Sequence, residues 1–243
     1  MPARNHALEQ EILGNPLRLK EGLRYARVTL KRRWPEWEKE VLRWAKKRHM
    51  LLPVCIQYAV KLIKGRWPNL EAVLFQLVGT KPRGKPVLWI TVSGSDPKYA
   101  IDPLGLDIAE YARNVIQGRW PSFESLILNG KCRLDIAVTY TARIRGHPWI
   151  ALQKLLLGAA PGDAMAALAR YVSEVRNGKW RAAEKYFLKH PAEESFSYAL
   201  YCYARHALKG ELPEPLHSKM MLVSFSDPKD VWVKSYLSFL KTL

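Results

Sequence analysis

Apolar residues recur along this chain at helical spacing, and the pattern comes in copies. A tyrosine and the residues one and four places later share one face in Tyr58, Ala59 and Leu62, in Tyr111, Ala112 and Val115, and in Tyr171, Val172 and Val175. That spacing predicts an amphipathic helix opening with each tyrosine. Nine residues after the tyrosine stands a tryptophan, in the pairs Tyr25 and Trp34, Tyr58 and Trp67, Tyr111 and Trp120, Tyr140 and Trp149, and Tyr171 and Trp180. A sixth copy keeps Tyr203 and carries Leu212 in the tryptophan slot. Glycine falls seven after the tyrosine at Gly65, Gly118, Gly178 and Gly210, and one place early at Gly146, where its left-handed conformation is expected to close the helix. Proline follows the aromatic at Pro35, Pro68, Pro121 and Pro213, suited to the first position of a second helix. An acid or amide follows four places after the aromatic at Glu38, Glu71, Glu124, Gln153 and Glu184, inside that helix's first turn, where a carboxylate complements the helix dipole.

The unit is therefore helix, tight turn, helix. Successive tyrosines are 33, 53, 29, 31 and 32 residues apart, the length of a two-helix repeat in all gaps but one. SDPKDVWVKSY before Tyr236 repeats the spacing of IDPLGLDIAEY before Tyr111 and predicts a further capping helix. The long gap holds GTKPRGKPVLWITVSGSDPKYAIDP, where Gly and Pro punctuate the β-favouring run Val87 to Val92. The expectation is an all-α helix-turn-helix solenoid of about six units of about 30 residues. Residues 1–75 form its basic first repeats, 76–110 a small inserted β-hairpin or extended loop, and 111–243 the remaining repeats and cap of one continuous array.

The chain has 243 residues, 48% of them apolar and 25% charged, which excludes a disordered or fibrous protein. Its 39 Lys and Arg against 22 Asp and Glu leave a net charge of +17, and a polyanion becomes the first partner to consider. The excess is uneven: +9 in residues 1–75, none in 76–110, +5 in 111–170 and +3 in 171–243. Cys55, Cys132 and Cys202 are too widely spaced for a zinc or disulfide framework, and no apolar run is long enough to span a bilayer. A cytoplasmic location, in a cell or a virus-infected host, without membrane attachment or cofactor, is the expectation.

Stacked repeats superpose equivalent positions, so the cation before each tryptophan, Arg33, Arg66, Arg119 and Lys179, is expected to form a ladder along one edge. Lys31, Arg32 and Arg33 cluster at the first turn, and Lys46, Lys47 and Arg48 at the end of the next helix. Lys81, Arg83 and Lys85 stand between prolines in the insert, an irregular excursion suited to binding. Such cations can neutralise successive phosphates, with the tryptophans as stacking planes. The competing reading puts the tryptophans in the core between repeats and pairs the arginines with the turn glutamates or lays them on neighbouring tryptophans.

The strings YAVKLIKGRWPNLE and YARNVIQGRWPSFE resemble a short helical repeat found in arrays in phage and other viral proteins of mostly unassigned function. The likeness covers about residues 23–75 and 111–243, is closest in copies two, three and five, and weakens in copies four and six. It implies a helical-repeat fold and a viral source and carries no active site. In size and charge the array is also broadly similar to HEAT-like repeat alkylpurine DNA glycosylases, without a shared residue motif.

No phosphate-binding glycine loop, H-E-x-x-H or nucleophile elbow is present. Asp135 and Asp163, acids in a basic stretch, are the first residues to test for catalysis. The reading that emerges is a non-enzymatic, largely sequence-nonspecific binder of DNA or RNA. Its alternatives are a scaffold that docks an acidic protein and a repeat-fold nucleic-acid enzyme such as a DNA glycosylase.

Overall fold

A computed structural model describes residues 5–47, 49–79, 89–91, 97–100, 102–190 and 196–243. These residues are overwhelmingly helical. In chain order the helices are α1 (His6–Gly14), α2 (Leu19–Tyr25), α3 (Pro35–Ala45), α4 (Leu52–Tyr58), α5 (Pro68–Val78), α6 (Pro103–Tyr111) and α7 (Pro121–Leu128). They continue as α8 (Leu134–Tyr140), α9 (Ile150–Gly158), α10 (Pro161–Tyr171), α11 (Arg181–Lys189), α12 (Phe196–Cys202), α13 (Glu214–Ser226) and α14 (Val231–Leu240). Between α5 and α6, Trp89–Thr91 pairs antiparallel with Pro97–Ala100. No helix among the described residues is long and apolar enough to cross a membrane.

The even-numbered helices pack side by side from α2 to α14, and the odd-numbered ones pack on one another from α1 to α5 and from α7 to α13. Buried side chains from Ile12 to Phe239 fill one apolar core. Trp34, Trp67 and Trp120 are at most 2% exposed, and Tyr58, Tyr111, Tyr140 and Tyr171 are fully buried. Each buried ring of this kind removes about 150–250 Å² from water, about 4–6 kcal/mol before its ordering entropy is subtracted. That drive explains why the aromatic pair is what recurs.

The close of the first helix differs from the sequence expectation in position. At or just past each tyrosine, or Cys202 in the sixth copy, the α-helix widens into a π turn: Ala26–Leu30, Ala59–Ile63, Ala112–Ile116, Thr141–Arg145, Val172–Arg176 and Tyr203–Leu208. The left-handed residue that ends it lies six after the tyrosine, not seven. It is Lys31, Lys64, Gln117, Gly146, Asn177 and Lys209, with φ between 52° and 66°. Gly146 therefore does not depart from the register; it is the one glycine that occupies the left-handed slot itself. The glycine one place later serves a second requirement where φ is 149° at Gly118 and 151° at Gly178, values a side chain rarely adopts.

The tryptophan that follows is extended, and the next helix begins at the residue behind it in α3, α5, α7, α9 and α11. Proline fills that first position in α3, α5 and α7. In the last copy Pro213 caps α13 from outside, and the helix starts at Glu214.

One contact joins each unit to the one before it. The tyrosine hydroxyl reaches the preceding unit's turn and accepts the backbone N–H of its tryptophan: Tyr58 from Trp34 at 2.6 Å, Tyr111 from Trp67 at 2.9 Å, Tyr140 from Trp120 at 2.7 Å, Tyr171 from Trp149 at 2.8 Å and Tyr203 from Trp180 at 3.1 Å. Tyr236 accepts from Leu212 at 3.2 Å, so the leucine keeps the backbone half of the contact. The same hydroxyl donates to the glutamate of that turn: Tyr58 to Glu38 at 2.8 Å, Tyr111 to Glu71 at 2.9 Å, Tyr140 to Glu124 at 3.3 Å and Tyr203 to Glu184 at 2.8 Å. At the N-terminal end Tyr25 accepts from Asn5 and donates to Glu9, both at 3.0 Å, so α1 is the second helix of a unit whose tryptophan slot holds Asn5.

Candidate nucleic-acid interface

The ladder predicted before the tryptophans is held on its own turns. Arg33 donates through Nε and Nη2 to both oxygens of Glu38, at 2.9 and 2.6 Å. Arg66 repeats the two distances with Glu71, and Arg119 with Glu124. Planar guanidinium on planar carboxylate is the strong form of such a pair, and the three carboxylates are nearly buried. For Glu71 and Glu124 burial works to raise the carboxyl's pKa, but the arginine bonds, with Tyr111 at Glu71 and Arg145 at Glu124, outweigh it and hold both below the ordinary carboxylate range. Glu38, Glu71 and Glu124 thus do more than complement a helix dipole: each collects the tyrosine of the next unit and the arginine of its own.

Arg33, Arg66 and Arg119 remain 53%, 58% and 60% exposed. They lie on a surface, with two of their donors committed. In the fourth and fifth units the cation moves: Arg145 lies 4.5 Å over the Trp149 ring and Arg176 5.0 Å over Trp180, leaving exposed Lys179 without an ion pair among the described residues.

The freest charge on this edge lies on the π turns. Lys31 and Arg32 are exposed and unpaired among the described residues. So are Lys64 and Lys209, which occupy the left-handed slot as Lys31 does. Arg27 and Arg143 are exposed on the same turns, with Arg113, whose Nη2 donates to the Arg143 carbonyl at 3.2 Å. π turns of successive units touch between residues 59–63 and 112–116, between 141–145 and 172–176, and between 172–176 and 203–208, which brings these cations to one edge. Sequence reasoning missed Lys64, Lys209, Arg27, Arg113 and Arg143 because it followed the tryptophan. Counting six from each tyrosine would have found the two lysines.

Lys46 and Lys47 are exposed at the end of α3, with the Lys47 Nζ 5.3 Å over the Trp44 ring. Lys46 borders a groove of about 630 Å³ between α3 and α5 that also holds Lys39 and Arg43. The groove runs from Pro35 and Glu38 at the turn to Lys46, so Lys46 and Lys47 lie at the other end of α3 from Lys31, Arg32 and Arg33. Arg48, Lys81, Arg83 and Lys85 lie outside the described residues.

Asp135 and Asp163, far apart in sequence, line one cleft of about 1080 Å³ at the opposite edge, where odd helices end and even helices begin. Asp135 is engaged by Arg133, which also holds Asp102. Cys55, Cys132 and Cys202 are buried free thiols, and burial pushes the pKa of each up, away from nucleophilic use. Among the described residues no group of His, Cys, Asp and Glu is arranged to hold a metal ion.

No family model matches the chain, and no curated protein or solved structure matches it.

Proposed function

We propose that the chain is a helical-repeat solenoid that binds DNA or RNA without sequence selection, through phosphate contacts along its π-turn edge. The observation that supports this most is lysine in the left-handed slot at Lys31, Lys64 and Lys209. A bulky side chain there carries a backbone cost that glycine avoids, as Gly146 does in the fourth unit. Nothing in the fold uses the three ammonium groups: they are exposed, unpaired among the described residues, and return at one position of the repeat. Strain kept for a side chain that stabilises nothing points to function. Arg32 and Lys179 extend the row, while Arg33, Arg66 and Arg119 supply secondary contacts from guanidiniums already clamped to glutamate. The buried tryptophans do not stack on bases.

Fluorescence anisotropy with labelled duplex and single-stranded DNA and RNA across a salt series tests this. Phosphate-dominated binding loses affinity with salt in proportion to the contacts made. Changing Lys31, Lys64 and Lys209 together to glycine removes up to three contacts and shallows the log–log slope on duplex DNA by up to about 2.7. Arg33→Ala moves it less. Absence of binding at physiological salt, or a slope unchanged in the triple variant, defeats the reading.

A second reading, docking of an acidic protein segment, draws support from the α3–α5 groove, where Lys39, Arg43 and Lys46 line a concave surface. Lys46→Glu then abolishes capture of an acidic helix and leaves polynucleotide binding on the π-turn edge nearly intact.

A further inference from the structure

We propose that the cleft holding Asp135 and Asp163 is a binding site for a nucleoside monophosphate, with the phosphate between Lys131 and Lys154. One face of α10 makes the space: Gly162, Ala166 and Arg170 stand four residues apart, Asp163 and Ala167 lie beside them with the same spacing, and all line the cleft. Three of them are Gly or Ala, so the volume exists because side chains stop short of it. Ile127, Leu134 and Leu155 give it apolar walls, and half-buried Tyr198 of α12 borders it.

The charges divide into committed and uncommitted. Arg133 is neutralised by Asp102 and Asp135, and buried Arg170 bonds Glu174 and the Thr139 hydroxyl. Lys131 and Lys154, both exposed, and Asp163 make no ion pair among the described residues. Two free ammonium groups and one free carboxylate therefore border an apolar cleft. At the N-terminus of α10, Pro161 has no N–H and the Asp163 N–H is taken by the Ala160 carbonyl at 3.1 Å, so of the first turn only Gly162, which borders the cleft, has its N–H to offer there.

This arrangement selects a molecule with a dianionic end, a flat apolar body and a hydroxyl or N–H donor. The lysines take the phosphate, the apolar walls and Tyr198 take the base, and Asp163 accepts from the sugar or base edge. The volume suits an organic ligand and is far too large for a bare anion, which the lysines would leave in bulk water. The site is at the opposite edge from the π turns, so it stands or falls separately from the polynucleotide reading. A free nucleotide and the 5′-terminal nucleotide of a strand present the same group.

Isothermal titration of the full chain with AMP, GMP, CMP and UMP, with adenosine and inorganic phosphate as controls, is the test. We expect one saturable site for at least one nucleotide, with both controls at least about tenfold weaker. Loss of one charge-assisted contact in Lys131→Ala or Lys154→Ala lowers affinity by about tenfold or more, and Ala166→Leu, which fills the cleft, abolishes it. The lysines are exposed, so circular dichroism of their variants matches the parent even if Ala166→Leu misfolds. A 5′-phosphorylated oligonucleotide that outbinds its 5′-hydroxyl twin, by a margin lost in Lys154→Ala, assigns the strand end as the source; AMP binding without that margin assigns the free nucleotide. Lys31→Gly with Lys64→Gly leaves nucleotide affinity unchanged. The proposal is overturned by absence of saturable binding up to about 1 mM, by inorganic phosphate binding as well as the nucleotides, or by affinities unmoved in both lysine variants.

Discussion

Replacing Tyr111 by phenylalanine removes one oxygen and breaks two bonds that bridge the longest interval in the array. The hydroxyl accepts the Trp67 N–H and donates to Glu71, both at 2.9 Å and both buried. Without it an N–H is left buried with no partner, a cost of about 1–3 kcal/mol, and a carboxylate loses one of its bonds, about 1.5–3 kcal/mol in comparable cases. Glu71 keeps Arg66, so the second loss falls at the low end, and about 3 kcal/mol is expected for the pair. Tyr171 supplies an internal comparison. Its hydroxyl also accepts from a tryptophan N–H, but its side-chain partner is Gln153, an uncharged amide that donates at 3.1 Å. Tyr171→Phe is therefore expected to cost less, about 1.5 kcal/mol. Urea unfolding followed by far-UV circular dichroism and tryptophan fluorescence gives both values, and coincidence of the two probes checks that the array still unfolds as a unit. A Tyr111→Phe cost under about 0.5 kcal/mol, or a Tyr171→Phe cost equal to or above it, refutes the claim that a charged hydrogen-bonded tie joins the units.

Lys64→Gly relieves a left-handed side chain and is expected to raise stability by about 0.5–1 kcal/mol in urea unfolding while weakening polynucleotide binding; a loss of stability would show the lysine supports the turn. Gly22→Ala drives a Cβ into the buried Trp37 indole that packs on α2, and is expected to cost more than about 2 kcal/mol by the same measurement. Asp107 is buried beside the charges of Glu110 and Asp102, and burial first, then that repulsion, raises its pKa to about 7. The folded state thus holds its proton more tightly than the unfolded one, so stability falls as pH rises from about 4 to 7, with a ceiling of about 4 kcal/mol. Asp107→Asn removes this decline, seen as a flatter melting temperature between pH 5 and 8. Glu71 and Glu124 act in the opposite direction: their lowered pKa values give stability that is present above the unfolded carboxylate pKa and lost as pH falls through the folded one. Glu71→Gln with Glu124→Gln is therefore expected to lose most relative to the parent at neutral pH and least near pH 3.

The helical class and the recurring buried aromatic residues were legible in the sequence because those residues are large, apolar and periodic; Trp67 or Tyr111 announces itself. What escaped was the direction of each contact. Tyr and Trp nine apart belong to one unit, and their rings touch, at 5.4 Å for Tyr58 and Trp67 and 5.1 Å for Tyr111 and Trp120. Yet the tyrosine's polar end serves the unit before. A hydroxyl about 6.5 Å from its Cα reaches whichever turn the packing brings near, and spacing along the chain does not say which.

The sequence offers Arg33, Arg66 and Arg119 two roles, phosphate contact or pairing with the turn glutamates, and the pairing is present. Arg33 lies five residues before Glu38, a separation that in a continuous helix faces the two apart; the extended Trp34 between them turns the chain so that they meet. The left-handed slot lies one place before the glycines, at a position the repeat fills with lysine three times, and only Gly118 and Gly178 have a positive φ at the place that follows. Asn5 and Glu9 show the limit most plainly. They share neither aromatic nor proline with the other turns, so no pattern of side chains could have found them, but they meet Tyr25 as Trp34 and Glu38 meet Tyr58. Since Asn5 contributes only its backbone N–H, the tryptophan is dispensable to the tie and is retained elsewhere for the core. The tie itself requires only a backbone N–H for the hydroxyl to accept; a glutamate one helical turn later adds a charged acceptor behind Asn5, Trp34, Trp67, Trp120 and Trp180, whereas Tyr171 meets Gln153 and Tyr236 meets His217, and that minimal rule is what further copies of this unit should obey where their aromatic residues have been lost.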